Sequence, residues 1–130
     1  MKKQIIHTND APAAIGPYSQ AVKIDNMVFI SGQIPIDPST GEFTGDDIET
    51  QTMQVFQNLS TITKAAGGSL DDIVKLSVYM TDLGQFSVLN GCMERFFKAP
   101  YPARAAIEVS ALPKGALIEM EAIMAVTNNA

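Results

Sequence analysis

Two segments with helical periodicity lie between segments of strand-like alternation, and this order constrains the fold more than any other feature of the chain. In the first helical segment, apolar and small residues recur at steps of four and three, which places them on one helix face: Ile48, Thr52, Val55, Leu59, Ile62 and Ala66. Asp46 with Glu49 resembles a capping box at the start, and Gly67-Gly68 supplies the stop. The sequence therefore predicts an amphipathic helix here.

The second helical segment runs from about Leu83 to Lys98. Its apolar stripe consists of residues at helical spacing: Phe86, Leu89, Met93, Phe96 and Phe97. Asp82 with Gln85 is suited to cap the start of this helix. Gly84 and Gly91 weaken it, each by about 1 kcal/mol relative to alanine.

The other segments alternate between apolar and polar residues, as half-buried strands do. Asp25-Asn26 separates two of them, Tyr18–Ile24 and Met27–Ser31, and predicts a hairpin turn. Three more alternating segments follow along the chain: Val74–Met80, Arg104–Val109 and Leu117–Val126. With a short first strand near Ile5-Ile6, the predicted order is β-β-β-α-β-α-β-β.

This order predicts which residues share a face of the sheet. Crossovers between parallel strands are right-handed, so two crossovers in the same direction place both helices on one face, above the apolar strand residues. The opposite face then mixes charged, aromatic and apolar residues: Lys75, Tyr79, Arg104, Glu108, Leu117, Glu119, Glu121, Ile123 and Ala125. Such a mixture is unfavourable in water but suits a surface that meets another subunit and leaves polar clefts at the seams. Self-association is therefore expected.

Length and charge narrow the class of protein. A chain of 130 residues predicts one domain over residues 1–130, with a core that needs no disulfide. The formal net charge is −5, and the nine basic residues are scattered along the sequence. Because phosphate binding needs a dense Lys/Arg surface, nucleic acid is not the expected partner. A small acidic metabolite needs only one well-placed arginine.

Several classes of site and segment are not expected. Cys92 is the single cysteine, which excludes an internal disulfide and a cysteine-based metal site. His7 is the single histidine and has no partner pattern, so neither a Ser/His/Asp triad nor a zinc site is predicted. No glycine motif indicates a nucleotide cofactor, and no cofactor is expected. Residues 1–8 do not resemble a signal peptide and no apolar run would span a membrane, so the cytosol is the expected compartment.

Five segments, in order along nearly the whole chain, together resemble the RidA/YjgF family. No single segment is decisive, but the combination is very specific. The segments are Ile15–Ala21, Ile30–Pro35, the Asn90 helix ending at Phe96-Phe97, Pro102–Val109, and Leu112–Lys114 followed by Ile118–Ala122. The resemblance implies a chorismate-mutase-like α+β fold, with two helices on one face of a mixed sheet, and a homotrimer with three clefts between subunits.

The resemblance also implies an activity, the hydrolysis of reactive 2-imino acids to 2-keto acids and ammonia. Typical substrates are 2-iminobutanoate and 2-iminopropanoate, which arise from pyridoxal-phosphate enzymes such as threonine or serine dehydratases. By motif position, the functional residues of the family fall on Tyr18, Ser31, Gly32, Asn90, Arg104 and Glu119, with the backbone at Ala106. The family often has a cysteine at position 106, so thiol-based regulation is absent here, and the assignment requires the backbone carbonyl of Ala106 to act.

The chemistry of a 2-imino acid matches two of these residues. Its carboxylate lies beside the reactive carbon, and the planar fork of Arg104 fits a carboxylate with two hydrogen bonds. Glu119 is suited to orient the attacking water, accept its proton and return it to the leaving nitrogen. Alternatively, Arg104 is solvated or forms an ion pair with Glu108 or Glu119, and Glu121 remains an alternative for handling water.

The remaining residues are predicted to support the site. Tyr18 follows a Gly-Pro turn, where its hydroxyl and ring either contact the substrate or simply end a hairpin. Ser31 and Gly32 offer a hydroxyl and an accessible backbone N–H, or form only a tight strand exit. Asn90 falls on the apolar stripe of the second helix, where an amide needs partners. It is interpreted as a clamp between helix and loop or as a support for the site.

Two other functions stay open. Endoribonuclease activity is also attached to the family, although the acidic charge and the lack of a basic-aromatic patch argue against it. A regulatory protein that binds a small carboxylate in the same cleft would need Arg104 but no group for handling water. Catalysis needs both kinds of group.

Overall fold

The strands and helices follow one another in the predicted order. The computed structural model describes residues 2–127. Its strands are β1 (Gln4–Ile6), β2 (Ala21–Ile24), β3 (Met27–Gln33), β4 (Ile73–Met80), β5 (Ala103–Glu108) and β6 (Ile118–Ala125). Its α-helices are α1 (Ile48–Ala65), between β3 and β4, and α2 (Phe86–Phe96), between β4 and β5. The predicted order β-β-β-α-β-α-β-β is confirmed.

The strands form one sheet in the order β1-β2-β3-β6-β4-β5. The pair β4 and β5 is parallel and every other neighbouring pair is antiparallel, so the sheet is mixed. Both helices pack on one face, which confirms the predicted α+β architecture. We call the other face, which carries Phe29, Ile107 and Ile123, the open face. Among residues 2–127, no helix is long and apolar enough to cross a membrane.

The core lies between the helices and the sheet. Phe56 of α1 is fully buried, and its ring centroid lies 5.3 Å from that of Phe96 and 5.5 Å from that of Phe97. The central strands contribute a layer of buried residues: Val28, Ile30, Leu76, Val78, Met80, Ile118, Met120, Ala122 and Met124. Burial of this set fixes the strand register, because a slip of one residue would turn every side chain to the other face.

The first helix begins as predicted, but its capping residue differs. Asp47 is the extended residue that precedes the helix, and its carboxylate accepts hydrogen bonds from the Thr50 backbone N–H at 2.9 Å and hydroxyl at 3.0 Å. These bonds lower the pKa of Asp47. The predicted capping box of Asp46 and Glu49 is wrong, and Glu49 instead forms an ion pair with Arg95 of α2 at 3.3 Å.

The N-terminal strands have different limits from those predicted. The hairpin turn at Asp25-Asn26 is confirmed, with Asp25 in the left-handed region at φ 54°. Strand β2 begins at Ala21 rather than Tyr18, because residue 20 turns its side chain to the preceding loop. The Gln20 amide donates to the carbonyls of Thr8 at 3.0 Å and Pro12 at 2.8 Å.

The second helix is shorter than predicted. Residues 83–85 form a single 3₁₀ turn, in which the Asp82 carboxylate accepts from the Gly84 N–H at 2.8 Å. The α-helix therefore begins at Phe86, and it ends at Phe96 because Phe97 adopts an extended conformation. A capping side chain that bonds two residues ahead favours a tight turn before the helix.

The predicted place of Arg104 and Glu108 on the open face is wrong. The register of the parallel pair sets Arg104 opposite Leu76 and Glu108 opposite Met80, so both project to the helix side. Strand β5 is an edge strand with exposed residues on both sides, so these polar groups stay in water, while Ile107 faces the open side. Other residues predicted for the open face do lie there: Lys75, Tyr79, Glu119, Glu121 and Ile123.

The corrected cap leads to a stability prediction. Asp47→Ala removes the acceptor for two donors of the first turn of α1, so we expect the midpoint of thermal unfolding to fall by a few degrees. The matched control Asp46→Ala removes the same charge one residue earlier and should change the midpoint little. Unfolding followed by circular dichroism at one fixed protein concentration tests this. Equal losses in the two variants would contradict the assignment of the cap.

Candidate functional site

Glu119 and Glu121 of β6 project from the open face into a cavity of about 640 Å³, which we call the Glu119 cavity. The polar and aromatic residues around it are Tyr18, Ser31, Gly32, Gln33, Lys114, Glu119 and Glu121. The apolar wall comes from Pro12, Ala13, Ile15, Ile34, Ile36 and Pro113. Four of the residues predicted for the site therefore lie together, although they come from three separate parts of the chain.

Gly32 lies directly against Glu119. The pairing of β3 with β6 is irregular between Ile30 and Gln33, so the backbone at Gly32 leaves the regular ladder next to the carboxylate. A Cβ added at Gly32 would overlap Glu119 Oε2 and would lie 3.1 Å from Glu119 Cδ. The absence of a side chain at position 32 is what lets the carboxyl group occupy its place.

Ser31 and Tyr18 form one side of the Glu119 cavity. The Ser31 hydroxyl donates to the Ser19 carbonyl at 2.6 Å, and the Ser31 N–H donates to the Gln20 carbonyl at 3.0 Å. These bonds tie the loop that carries Tyr18 to β3, so the Ser31 hydroxyl has a structural partner. The Tyr18 ring is half exposed at the cavity rim.

The Glu119 carboxyl group is half-buried, and its pKa is raised above the usual range. Burial is the larger cause, because it disfavours the charged form, and the negative charge of Glu121 is the second. Glu121 itself accepts a short hydrogen bond from the Tyr79 hydroxyl, and this bond raises the pKa of Tyr79. A carboxylate of raised pKa holds a proton more readily, as a group that both accepts and returns protons must.

Arg104 borders a second cavity of about 460 Å³, which we call the Arg104 cavity. Its lining comes from α2 and from the start of β5: Asn90, Met93, Glu94, Tyr101, Pro102 and Arg104. Arg104 Nη1 donates to Asn90 Oδ1 at 2.7 Å and contacts Met93 Sδ at 3.2 Å. The guanidinium carbon lies 4.8 Å from the centroid of the Phe86 ring. Asn90 therefore supports the guanidinium group of Arg104, and within residues 2–127 its side chain makes no hydrogen bond to a loop.

The ion pairs considered for Arg104 do not form. Between residues 2 and 127, no carboxylate oxygen lies within 4 Å of its guanidinium nitrogens. Glu108 instead accepts from the Leu83 N–H at 2.9 Å, and Glu119 lies on the other face. Within the same residues, Arg104 Nε and Nη2 make no hydrogen bond. Three N–H donors of the guanidinium group are therefore free to bind an anion.

The backbone of Ala106 faces the free edge of the sheet. Val109 N–H donates to the Met80 carbonyl, so alternate residues of β5 direct their backbone groups to β4. Residues 104, 106 and 108 then direct theirs outward. The N–H and carbonyl of Ala106 lie at this edge, two residues from Arg104.

One chain does not bring the two cavities together. Arg104 lies on the helix side of β5 and Glu119 on the open face of β6, with β4 between these strands. The sequence analysis places Phe86 and Met93 on the apolar stripe of the second helix and Lys114 in a family segment, but it assigns none of them to a site; Phe86 and Met93 contact Arg104, and Lys114 lines the Glu119 cavity. The signal for Lys114 is its place in the Leu112–Lys114 segment, and the structure sets its backbone in the left-handed region at φ 58°. Residues 2–127 contain no cluster of three His, Cys, Asp or Glu residues suited to a metal ion.

Comparison with known proteins gives similarity over almost the whole chain. The family model described as endoribonuclease L-PSP matches residues 8–126. The human 2-iminobutanoate/2-iminopropanoate deaminase is 44% identical over 121 residues, or 93% of this chain and 88% of that protein. RidA from an Antarctic Psychrobacter is 51% identical, with a TM-score of 0.92 over 95% of this chain and 99% of that one. E. coli TdcF with bound serine is 43% identical, with a TM-score of 0.91 over 95% of this chain and 99% of that one.

The contact between Gly32 and Glu119 leads to a test of the site geometry. In Gly32→Ala the added methyl group displaces the flexible carboxyl group toward water, so we expect the pKa of Glu119 to fall toward its usual range. Titration of the labelled carboxyl carbon by NMR measures this pKa. The control Gly91→Ala places a methyl group in open space on α2, and it should stabilise the helix by about 0.5–1 kcal/mol without moving the titration. An unchanged titration in Gly32→Ala would refute the contact.

Proposed function

This chain belongs to the RidA/YjgF family, which the endoribonuclease L-PSP model describes, and we propose that it hydrolyses reactive 2-imino acids to 2-keto acids and ammonia. One observation carries the proposal. An arginine with free donors at a sheet edge complements a half-buried carboxyl group of raised pKa in a second cavity. The two groups match the carboxylate and the reactive carbon–nitrogen bond of the same small molecule.

Arg104 is the carboxylate-binding residue in this proposal. Its Nη1 is held by Asn90, and the guanidinium carbon lies over the Phe86 ring at 4.8 Å, which leaves Nε and Nη2 for the ligand. A guanidinium group fixed in this way binds a carboxylate through two parallel hydrogen bonds with little further loss of freedom. The outward N–H of Ala106 is a third donor for the same carboxylate.

Glu119 is the general acid–base residue that activates the water in this proposal. The iminium form of the substrate, R–C(=NH₂⁺)–COO⁻, gains water at carbon and loses ammonium to give R–CO–COO⁻. Glu119 accepts the proton of the attacking water and returns it to the leaving nitrogen, and the Ala106 carbonyl accepts a second hydrogen bond from that water. Because burial raises the pKa of Glu119, it is a stronger base than an exposed glutamate. Tyr18 and Gly32 border the cavity in which the substrate lies.

A complete site requires two copies of the chain. Since Arg104 and Glu119 lie on opposite faces, the Arg104 cavity of one copy must meet the Glu119 cavity of another. Such a head-to-tail interface closes into a ring when the rotation between neighbouring copies divides a full turn, and we propose a homotrimer. The open face supplies apolar surface for it, since Phe29 is 48% and Ile107 50% exposed in the single chain.

The alternatives have weaker support. The similarity of the chain to TdcF with bound serine favours a small ligand that carries a carboxylate. Endoribonuclease activity appears in the family description, but a net charge of −5 opposes the phosphate backbone of RNA. A regulatory carboxylate-binding protein would have no use for the raised pKa of Glu119.

In the decisive assay, a threonine dehydratase supplies the imine, and keto-acid release is timed with and without the protein. No acceleration, with RNA cleavage that is lost in Arg104→Ala, would overturn the proposal.

Substitutions at the two cavities should separate binding from chemistry. Arg104→Ala should weaken 2-ketobutyrate binding by at least roughly 30-fold, since truncating one member of a buried charged pair costs about 2–5 kcal/mol. Arg104→Lys should restore little, because a point charge does not reproduce a two-pronged contact. Glu119→Gln should retain binding while turnover slows on the order of 10² to 10⁴. Calorimetry measures the change in binding, and single-turnover kinetics measure the change in turnover. Normal turnover in Glu119→Gln would mean that Glu121, or the backbone carbonyl of Ala106 alone, activates the water.

Mixing two inactive variants tests the shared site. Arg104→Ala retains Glu119, and Glu119→Gln retains Arg104, so an interface at which Glu119→Gln supplies the Arg104 cavity and Arg104→Ala supplies the Glu119 cavity contains an intact pair. Equimolar co-assembly after reversible dissociation should restore about a quarter of the parent activity, the share of intact pairs at head-to-tail interfaces formed at random. Sedimentation equilibrium should give about three times the 14.0 kDa chain mass for each sample. No restoration in a mixed trimer would place each site within one chain.

A further inference from the structure

Glu119 and Glu121 form a pair of carboxyl groups on one strand. They are two residues apart on β6, so both project to the open face, and both line the Glu119 cavity. Only Glu119 is half-buried, whereas Glu121 is exposed. Burial and the neighbouring negative charge of Glu121 both raise the pKa of Glu119.

Tyr79 holds the second carboxylate in place. It lies directly opposite Glu119 in the pairing of β4 with β6, yet its hydroxyl donates diagonally to Glu121 Oε1. Tyr79 therefore keeps the carboxylate of Glu121 at a fixed position beside Glu119.

The other charged and titratable groups nearby do not replace this contact. Lys114 reaches the Glu119 cavity from the 3₁₀ turn before β6, and Tyr18 reaches it from the loop before β2. Lys75 lies on the far side of Glu121. Within residues 2–127, neither lysine lies within 4 Å of a carboxylate oxygen of this pair. The charge of Glu121 is thus not neutralised by an ion pair there.

We propose that Glu121, held by Tyr79, is a positioning residue that sets the base strength of Glu119. The proposal rests on the proposed imine hydrolysis, and it gives Glu121 a role that differs from handling the water itself. Hydrolysis of an imine needs one group that first accepts a proton from water and then returns it to the nitrogen. A group with a proton affinity near the working pH does both, and a neighbouring negative charge is a direct means of raising that affinity.

The negative charge of Glu121 determines the direction in which the acid limb of the pH profile moves. The active form of Glu119 is ionised, so kcat/KM falls as pH falls through the pKa of Glu119. In Glu121→Gln the amide oxygen still accepts from Tyr79, but the negative charge is gone. Since that charge raises the pKa of Glu119, the acid limb of the pH profile should move to lower pH. The plateau of kcat/KM should fall by less than about tenfold, since the base is weakened but retained.

Three variants and a control make the experiment specific to positioning. Tyr79→Phe keeps the charge of Glu121 but removes the hydrogen bond that fixes its position, so the charge spends less time beside Glu119 and the acid limb should move the same way by a smaller amount. The double variant should match Glu121→Gln alone, because Tyr79 acts only through Glu121. The control Glu42→Gln removes an equal charge from an exposed loop and should leave the limb in place.

NMR titration of the Glu119 carboxyl carbon in the full-length assembly gives a second readout that does not depend on activity. The expected result is a lower pKa in Glu121→Gln and an unchanged pKa in Glu42→Gln. Unchanged titration and an unmoved acid limb in Glu121→Gln would overturn the proposal, as would a further shift in the double variant. A parent protein that does not accelerate imine hydrolysis would overturn the proposed function instead, while the titration still decides the coupling between the carboxyl groups.

Discussion

The last strand of the chain occupies the centre of the sheet, and the rest of the structure depends on its two antiparallel pairings. Strand β6 joins β3, which belongs to the N-terminal hairpin, to β4, which leads into α2. Its helix side contributes Ile118, Met120 and Met124 to the core, all fully buried. Its other side carries Glu119 and Glu121. One strand therefore closes the core and supplies the carboxyl groups, so the burial that fixes its register also fixes their position.

Strand alternation also explains why Arg104 and Glu119 lie on opposite faces of the sheet in a single chain. The parallel pairing of β5 with β4 sends Arg104 toward α2, where Asn90 and Phe86 hold the guanidinium group. The antiparallel pairing of β6 with β4 sends Glu119 to the open face. Rotation of side chains does not bridge a sheet, so chemistry that needs both groups depends on a second copy. On this proposal, assembly and activity are one property of the protein.

The electrostatics of the Glu119 cavity follow from partial burial. A carboxyl group in the open would keep its usual acidity, and one fully enclosed beside another negative charge would stay protonated. Glu119 lies between these limits because Gly32 admits it to the surface of the sheet and Glu121 repels its charge. The hydrogen bond from Tyr79 prevents the second carboxylate from turning away. A small change in either contact would therefore shift the pKa of Glu119, either toward that of an exposed carboxyl group or toward that of a fully enclosed one.

The sequence by itself determined the order of strands and helices, because periods of about 2 and 3.6 residues are local properties that burial on one face imposes. It also determined the candidate residues, through motifs that resemble one family, and the hairpin at Asp25-Asn26. Its errors at the ends of elements fall where a single side chain decides the boundary, as with Asp47 in place of Asp46.

The tertiary structure alone decided the side of the sheet on which Arg104 lies. Alternation along β5 distinguishes two sides but does not say which one faces the helices, and at an exposed edge strand hydrophobicity gives no answer. It also decided the contacts of Glu119 with Gly32 and Glu121, and of Arg104 with Asn90. Gly32 and Asn90 are distant in sequence from the residues they serve, and long-range register, set by the packing of the whole core, brings each pair together.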